Sequence, residues 1–486
     1  MSDNEIKLTT ALKSFIIKQS WRRGHMKYAI AIDFGSTFTK LVIIDLEGKR
    51  VIHSDKVPST VGSDAAVGMN QCFDIAREKI GTEEFEKAMK LASSSAAGGL
   101  RMAVIGLTKS LSLMAGEAAA LGAGAKVVSN YMGNLTEEKI GELENSNAEI
   151  LLFGGGYEHG NQTMVLHNAK MIAESQIRIP IIYCGNSEVA SDIRRMMLSR
   201  KKQCFIVENM IPKLGEKNVE PVQEVIRNLF LQRITDMKGF DQVKKAFDNE
   251  FTPTPKAVLD AGELISKGTE RQSGLGQLMI IDIGGATTDV YSMNSNKSYL
   301  GAKMTGLEEP YEKRTVEGDL GMRESSGSVI TEKYLTEAEE KSCMTAYEIK
   351  QSIEHRMREH DFLPDTEAER KLDNCIAAIA IRQAARRHAG YVRKSYTAGC
   401  NLFQIGKNLT EITTIIGTGG ILVFNKDAAI LLKEVEKKDT DENILIPEKV
   451  SPYLDTEYVL FAAGLLREKD EDTALSIMKN SLKRCE

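Results

Sequence analysis

The stretch Tyr28-Ala-Ile-Ala-Ile-Asp-Phe-Gly-Ser-Thr-Phe-Thr-Lys-Leu-Val-Ile-Ile-Asp45 predicts a β-hairpin. Two apolar, β-branched runs flank a tip of one glycine and two hydroxyl residues. The turn from Asp33 to Thr37 is therefore suited to phosphate: backbone N–H groups and the Ser36 and Thr37 hydroxyls converge on an anion, with Asp33 beside it. A second copy reads Leu278-Met-Ile-Ile-Asp-Ile-Gly-Gly-Ala-Thr-Thr-Asp-Val-Tyr291. One short Asp-x-Gly turn between strands is ordinary hairpin chemistry. Two of the same design, about 250 residues apart, predict duplicated lobes that close on one nucleotide.

A third element, Ile412-Thr-Thr-Ile-Ile-Gly-Thr-Gly-Gly-Ile-Leu-Val-Phe424, reads as a strand ending in a glycine turn and running on into an apolar, helical stretch. Missing side chains there let backbone approach a planar ligand. In this order the three elements resemble the phosphate-1, phosphate-2 and adenosine motifs of the actin, sugar kinase and Hsp70 ATPase superfamily. No Walker A sequence occurs, so a P-loop reading fails. Four strings narrow the resemblance: Asp33-Phe-Gly-Ser-Thr-Phe-Thr-Lys40, Phe153-Gly-Gly-Gly156, Arg314-Thr-Val-Glu-Gly-Asp-Leu-Gly-Met-Arg323 and Ile416-Gly-Thr-Gly-Gly420. From about Met26 to about Leu482 the chain resembles the MutL-type glutamate mutase accessory family, which is unrelated to the mismatch-repair protein of that name. The resemblance implies an ATP-dependent reactivating chaperone for an adenosylcobalamin-dependent aminomutase. It also implies an α/β chain with a two-lobed actin-like (ribonuclease H-like) ATPase fold, ATP and Mg²⁺ as cofactors, and hydrolysis of ATP in service of the chaperone function.

Bulk properties fit that reading. A chain of 486 residues suggests two or three domains, and 42% hydrophobic with 27% charged residues is ordinary for a globular protein. Lys plus Arg total 63 against 68 Asp plus Glu, so no basic excess advertises nucleic acid. Cysteines at 72, 184, 204, 343, 375, 400 and 485 form no C-x-x-C pair, which fits a reducing cytosol rather than disulfides or zinc. No apolar run approaches the roughly 20 residues needed to span a bilayer. A cytoplasmic location without membrane or nucleic-acid partners is expected, and a homodimer is compatible with it. Residues 1–25 lack a secretory h-region and read as a tail.

Between the hairpins, short apolar strands at 101–105, 126–129, 149–153, 180–183 and 203–207 alternate with helical patterns at 107–121, 136–144, 162–174, 187–199 and 220–234. Such alternation indicates βαβ units and a parallel sheet. The expected organisation is a tail (1–25), a first ATPase lobe (26–94), an inserted Rossmann-like or flavodoxin-like domain (95–240), and a second lobe with a C-terminal helix (241–486). Helices are expected at 347–358 and 372–393, and an Ala-Ala-Gly-faced helix at 457–466. The mutases' own cobalamin domains are doubly wound α/β units, and the insertion shares that architecture without an Asp-x-His-x-x-Gly motif. Either it docks the mutase or it merely enlarges the first lobe.

Asp33 and Asp282 end buried strands, where a carboxylate is costly unless it faces a cleft and a cation. They read as outer-sphere holders of Mg²⁺, which keeps much of its water, or else as turn residues capping their own backbone. Gly35, Ser36 and Thr37 on one side, and Gly284, Gly285, Thr287 and Thr288 on the other, would cradle the β- and γ-phosphates. Lys40 either reaches those phosphates or faces solvent. Gly417, Gly419 and Gly420 read as purine or ribose neighbours, or as a plain strand-to-helix turn. Glu317 and Asp319 either orient water for hydrolysis or sit in an inter-lobe turn as solvated acids. Gly154 to Asn161 follows a strand and precedes a helix, a loose anion-site pattern that departs from G-x-G-x-x-G. Three other functions share the nucleotide motifs. A small-molecule kinase needs an acceptor signature that is absent, an electron-injecting dehydratase activator needs clustered cysteines, and a filament-forming actin relative is open on sequence.

Overall fold

The computed structural model describes residues 26–35, 38–61, 63–95, 100–235, 240–305, 307–394 and 402–485. In it the apolar runs around Asp33 pair as antiparallel strands β1 (Tyr28–Phe34) and β2 (Phe38–Asp45), with Asp33 opposite Lys40. Ala29–Ile32 and Leu41–Ile44 are fully buried. Burial on both faces is why these strands read as continuous apolar runs rather than as alternation. Strand β3 (Arg50–Pro58) joins β2 antiparallel, whereas β4 (Met89–Ser94) runs parallel to β1 and β10 (Thr252–Pro253) parallel to β4, giving the order β3-β2-β1-β4-β10. The crossover from β3 to β4 uses the helix Ala65–Ile80, capped by the Asp64 carboxylate on the Ala66 N–H and ended at Gly81 with φ of 82°. Phe34, Phe73, Phe247 and Phe251 interlock with ring centroids 5.7–6.0 Å apart.

This sheet belongs to a compact unit made of Met1–Ala97, Leu231–Gly274 and Glu457–Leu482. The division differs from a second lobe running over 241–486, for a physical reason. The helix Val459–Arg467 is apolar all round, with Val459 to Leu466 buried, and it packs on the helix Thr254–Lys267 and on β1 and β4. Its crossing point is Gly464, where a Cβ would lie 1.9 Å from the Ala257 carbonyl oxygen. Gly464→Ala is accordingly expected to lower unfolding stability by about 1–3 kcal/mol or more through overpacking. An unchanged urea midpoint would argue against this close crossing.

The other unit comprises Gly98–Phe230, Leu275–Thr456 and Lys483–Glu486. Its second hairpin is β11 (Leu278–Ile283) with β12 (Thr288–Met293), and β14 (Glu312–Glu317) continues the meander antiparallel to β12. On the far side, β17 (Thr414–Thr418) is parallel to β11 and β18 (Ser451–Leu454) parallel to β17, with β19 (Lys483–Arg484) at the edge. The order β14-β12-β11-β17-β18 repeats β3-β2-β1-β4-β10 strand for strand and direction for direction. This ribonuclease H-like connectivity, present twice, is the actin-like fold expected from the paired hairpins. The helix Glu367–His388 supplies much of this lobe's core. The sequence pattern predicts a helix to residue 393, but the chain turns at Gly390 and Tyr391–Lys394 forms β15 of a small sheet with β13 (Lys303–Thr305) and β16 (Leu402–Ile405). Gly390 makes the change possible: its N–H donates to the Lys407 carbonyl at 2.7 Å, and a Cβ there would meet Gly406 backbone at 2.5 Å.

Within the same unit, β5 (Arg101–Gly106), β6 (Lys126–Met132), β7 (Ile150–Phe153), β8 (Ile181–Tyr183) and β9 (Cys204–Ile206) form an all-parallel sheet ordered β6-β5-β7-β8-β9. That 2-1-3-4-5 order is the flavodoxin-like one. Helices Met114–Gly122, Glu137–Glu144, Gln162–Glu174 and Ala190–Ser199 make the crossovers. The first crossover opens on a π-helical turn, Lys109–Leu113, in which the Leu113 N–H donates to the Thr108 carbonyl at 3.1 Å, and the Ser112 hydroxyl accepts the Leu107 and Thr108 N–H groups at 2.7 and 3.1 Å. No helix among the described residues is long and apolar enough to cross a membrane.

Candidate functional site

The two hairpins match position for position: Asp33 with Asp282, Gly35 with Gly284, Thr39 with Thr288 and Lys40 with Asp289. Each closes by the same bond, Gly35 N–H to the Phe38 carbonyl at 3.1 Å and Gly284 N–H to the Thr287 carbonyl at 2.9 Å. In the first, Asp33 is 1% exposed, yet its carboxylate is well supplied with donors. It accepts the Ser95 N–H at 3.1 Å, the Ser95 hydroxyl at 3.0 Å and the Thr254 hydroxyl at 2.6 Å, and the Lys40 ammonium lies 3.9 Å away. Lys40 is thus drawn to Asp33, with its ammonium 4.8 Å from the centre of the Tyr458 ring, rather than turned out to solvent. Gly35 admits no side chain, since a Cβ would stand 2.5 Å from the Phe38 carbonyl oxygen. Ser36 and Thr37 lie outside the described residues.

In the second hairpin, Gly284 and Gly285 are exposed at the tip, Thr287 is half-buried, and Asp282 is half-buried opposite Asp289 and Thr418. Thr288 differs from the expected cradle: it is fully buried and its hydroxyl donates to the Leu320 carbonyl. The reason is the two-residue period of a strand, which turns Thr288 inward. Behind the tip sits the Arg314–Arg323 string. Met322 and Arg323 donate their N–H groups to the Gly284 and Gly285 carbonyls at 3.0 and 2.7 Å, and the Ser325 hydroxyl lies 2.8 Å from both the Ala286 and Gly318 carbonyls. Arg323 is itself anchored by a bidentate pair with Asp373 at 3.2 and 2.9 Å, and Asp373 also takes Arg356 at 2.9 Å.

Glu317 and Asp319 come together on one partner. Arg387 reaches Glu317 at 2.8 Å and grips Asp319 with two bonds of 2.6 and 2.9 Å. The hydrogen bond from Arg387 pulls Asp319 below the usual carboxylate range, while burial raises Glu317 despite the same cation. Both acids are thus ion-paired to Arg387, Glu317 largely covered and Asp319 still about half open to solvent. The third glycine turn lies at the end of β17, which runs beside β11. Gly419 has φ of 98°, and a Cβ on it would meet the Ile283 carbonyl oxygen at 2.2 Å. Gly417 is walled by Leu422 and Leu432, whereas Gly420 opens the short helix Gly420–Val423 with nothing within 4 Å of a would-be side chain.

The Gly154–Asn161 loop is committed locally. Glu158 accepts the Ser187 N–H and hydroxyl and the Asn209 amide, His159 bonds Glu188 at 2.8 Å, and Asn161 caps the helix Gln162–Glu174. Among the described residues, no group of three or more His, Cys, Asp or Glu is placed to hold a metal ion by itself. Sequence reasoning missed Ser95, Thr254 and Arg387. Thr254 is far from Asp33 in the chain and carries no pattern, whereas Arg387, one of three basic residues ending a helix, looks like a charge set against the helix dipole.

The family model described as MutL protein matches residues 29–482. Protein MutL of Clostridium tetanomorphum is 39% identical over 462 residues, spanning 93% of this chain and 98% of that one. Among solved structures, the ATP-dependent caprolactamase from Pseudomonas jessenii is 11% identical at a TM-score of 0.37, over 90% of this chain and 70% of that one. The xylulose kinase from Bifidobacterium adolescentis is 10% identical at a TM-score of 0.30, over 95% and 96%. With a match that begins at the first hairpin and ends in the last helix, and with more than a third of residues identical to a relative over nearly its whole length, the chain belongs to the MutL family.

Proposed function

We propose that this protein is an ATP-dependent accessory factor that releases inactivated cobalamin from an adenosylcobalamin-dependent aminomutase of the glutamate mutase type. The observation that carries the nucleotide part is the repeated hairpin: the same glycine bond closes both turns, and the same strand-end aspartate precedes each. Membership of the MutL family supports the mutase as partner. The residues fit a Mg²⁺–nucleotide. Asp33 and Asp282 would hold the ion through its water shell, the exposed Gly284 and Gly285 leave backbone accessible to phosphate, and the exposed Gly420, with nothing within 4 Å of a would-be side chain, leaves space for the purine or ribose. The metal would supply charge neutralisation on the phosphates. Lys40, held beside Asp33, adds a cation at the same turn.

The inserted flavodoxin-like domain is, on this reading, the part that docks on the mutase. To move a partner from 1:99 to 99:1 between closed and open states, the two nucleotide states must differ in their preference by roughly 5.5 kcal/mol. The test uses glutamate mutase loaded with an inactive cobalamin. Turnover should return when this protein, ATP, Mg²⁺ and free adenosylcobalamin are all present, and should stay absent when ATP is omitted. A labelled phosphometabolite formed from labelled ATP would identify a kinase instead.

A further inference from the structure

A buried cation links the second hairpin to the inserted domain. Arg314, on β14, has a side chain only 3% exposed. Its Nε and Nη2 donate to the Asp289 carboxylate at 2.7 and 2.6 Å, and its Nη1 donates to the Ala125 carbonyl at 3.3 Å. Asp289 lies two residues past the tip of the hairpin, and the Thr287 hydroxyl donates to its second oxygen at 3.3 Å. Ala125 belongs to the inserted domain, at the entry to β6. One chain of bonds therefore runs from the exposed turn through Asp289 and Arg314 to the edge strand of the inserted sheet.

A second route ends one residue away. The Ser325 hydroxyl spans the Ala286 and Gly318 carbonyls, and Gly318 leaves the space that Lys126 fills: a Cβ on Gly318 would be 2.9 Å from the Lys126 Cε and Nζ. The helix Met114–Gly122, just ahead of Ala125, packs along β14. The Arg314–Arg323 string thus lies between the glycine turn and Ala125–Lys126.

We propose that Arg314 is a positioning residue that passes the occupancy of the Gly284–Thr287 turn to the inserted domain through Ala125 and β6. This rests on the reading of that turn as a nucleotide site. Its planar guanidinium suits the task because one fork engages a carboxylate and a carbonyl in fixed directions, and a lysine ammonium cannot reproduce that geometry. A buried ion pair of this kind contributes little net stability, so its value lies in fixing one register of the elements it joins. Reciprocity follows: whatever factor ATP adds to docking through β6, docking adds to ATP affinity.

The experiment follows amide exchange at residues 125–132 in the whole chain, with ATP affinity read separately by calorimetry. Wild type should show about a tenfold change in exchange there on adding ATP–Mg²⁺, within the usual range of coupling between sites. Arg314→Lys should bind ATP within about threefold of wild type, below the smallest coupling usually counted, and lose the change at 125–132. If Arg314→Lys does not fold, Asp289→Asn with Arg314→Met removes both charges together and is read in the same way. A wild-type-sized change in either variant, or ATP binding by wild type with no change at 125–132, would overturn the coupling alone. Loss of ATP binding in the variants would also overturn it, by assigning Arg314 to the turn itself. Absence of ATP binding in wild type would instead overturn the nucleotide reading on which it rests.

Discussion

Asp33→Asn is expected to leave a folded protein whose ATP hydrolysis is lower by about two orders of magnitude or more, the loss seen when one preorganised charge-stabilising group is removed. The choice of asparagine matters. Asp33 is 1% exposed and accepts bonds from the Ser95 N–H, the Ser95 hydroxyl and the Thr254 hydroxyl, so its carboxylate also ties β1 to the end of β4 and to the helix after β10. Alanine would leave those donors without their acceptor and would cost about 1–3 kcal/mol for each buried group left unsatisfied. Asparagine keeps an acceptor oxygen and nearly the same shape, but it removes the charge that Lys40 and a hydrated Mg²⁺ would share. Hydrolysis measured under saturating ATP, beside a thermal melt, separates the two roles. A folded Asp33→Asn protein that hydrolyses ATP at the wild-type rate would end the assignment of Asp33 to the metal.

How much of this was legible depends on where the controlling contacts lie in the chain. The hairpins were readable because everything that makes them is local: two β-branched runs and an Asp-x-Gly turn, with no residue needed from elsewhere. The inserted sheet was readable for a similar reason, since each strand is followed at once by the helix that covers it. The small sheet of β13, β15 and β16 was not. Tyr391-Val-Arg-Lys carries one buried residue, Val392, so neither a two-residue nor a helical period marks it, and only Gly390 signals that the preceding helix must stop. The helix Val459–Arg467 was readable as apolar and small-faced, yet its home was not, because Ala257 and Gly464 are brought together by tertiary contact alone.

Polar commitments were the least legible feature of the site. Glu317 and Asp319 stand among glycines and suggest freely placed acids, but a single guanidinium from a distant helix takes both. Arg314 sits in a charged run, Glu312-Lys-Arg-Thr-Val-Glu317, where nothing distinguishes it from its neighbours, and it alone of the six is buried. Asp289 is the residue that makes that burial tolerable. Buried charges require partners, so the pairing is physically compulsory once the fold is known and invisible before it.

The same string predicts the other large effect. Gly321→Ala is expected to weaken ATP binding by about tenfold to a hundredfold while the chain stays folded. A Cβ at Gly321 would lie 2.4 Å from the Gly285 carbonyl oxygen and from the Ala286 carbonyl carbon, both main-chain atoms that cannot swing aside as a side chain would. The added methyl must therefore push the glycine turn outward or break the bonds from Met322 and Arg323 that brace it. Overpacking of this kind costs about 1–3 kcal/mol. Where that strain falls decides the outcome. The string is anchored on its far side by Arg323 to Asp373, with Arg356 behind, a partly buried network that resists movement. The exposed tip at Gly284 and Gly285 is braced from this same string and has open space on its outer side, so the displacement is expected there. At about 1.4 kcal/mol per tenfold, most of the strain would then appear as lost affinity. Calorimetric titration of Gly321→Ala with ATP–Mg²⁺, together with its melting temperature, makes the test. Wild-type affinity with a lowered melting temperature would place the strain in the lobe instead of the turn, and would argue that the Gly284–Gly285 backbone does not contact the phosphates.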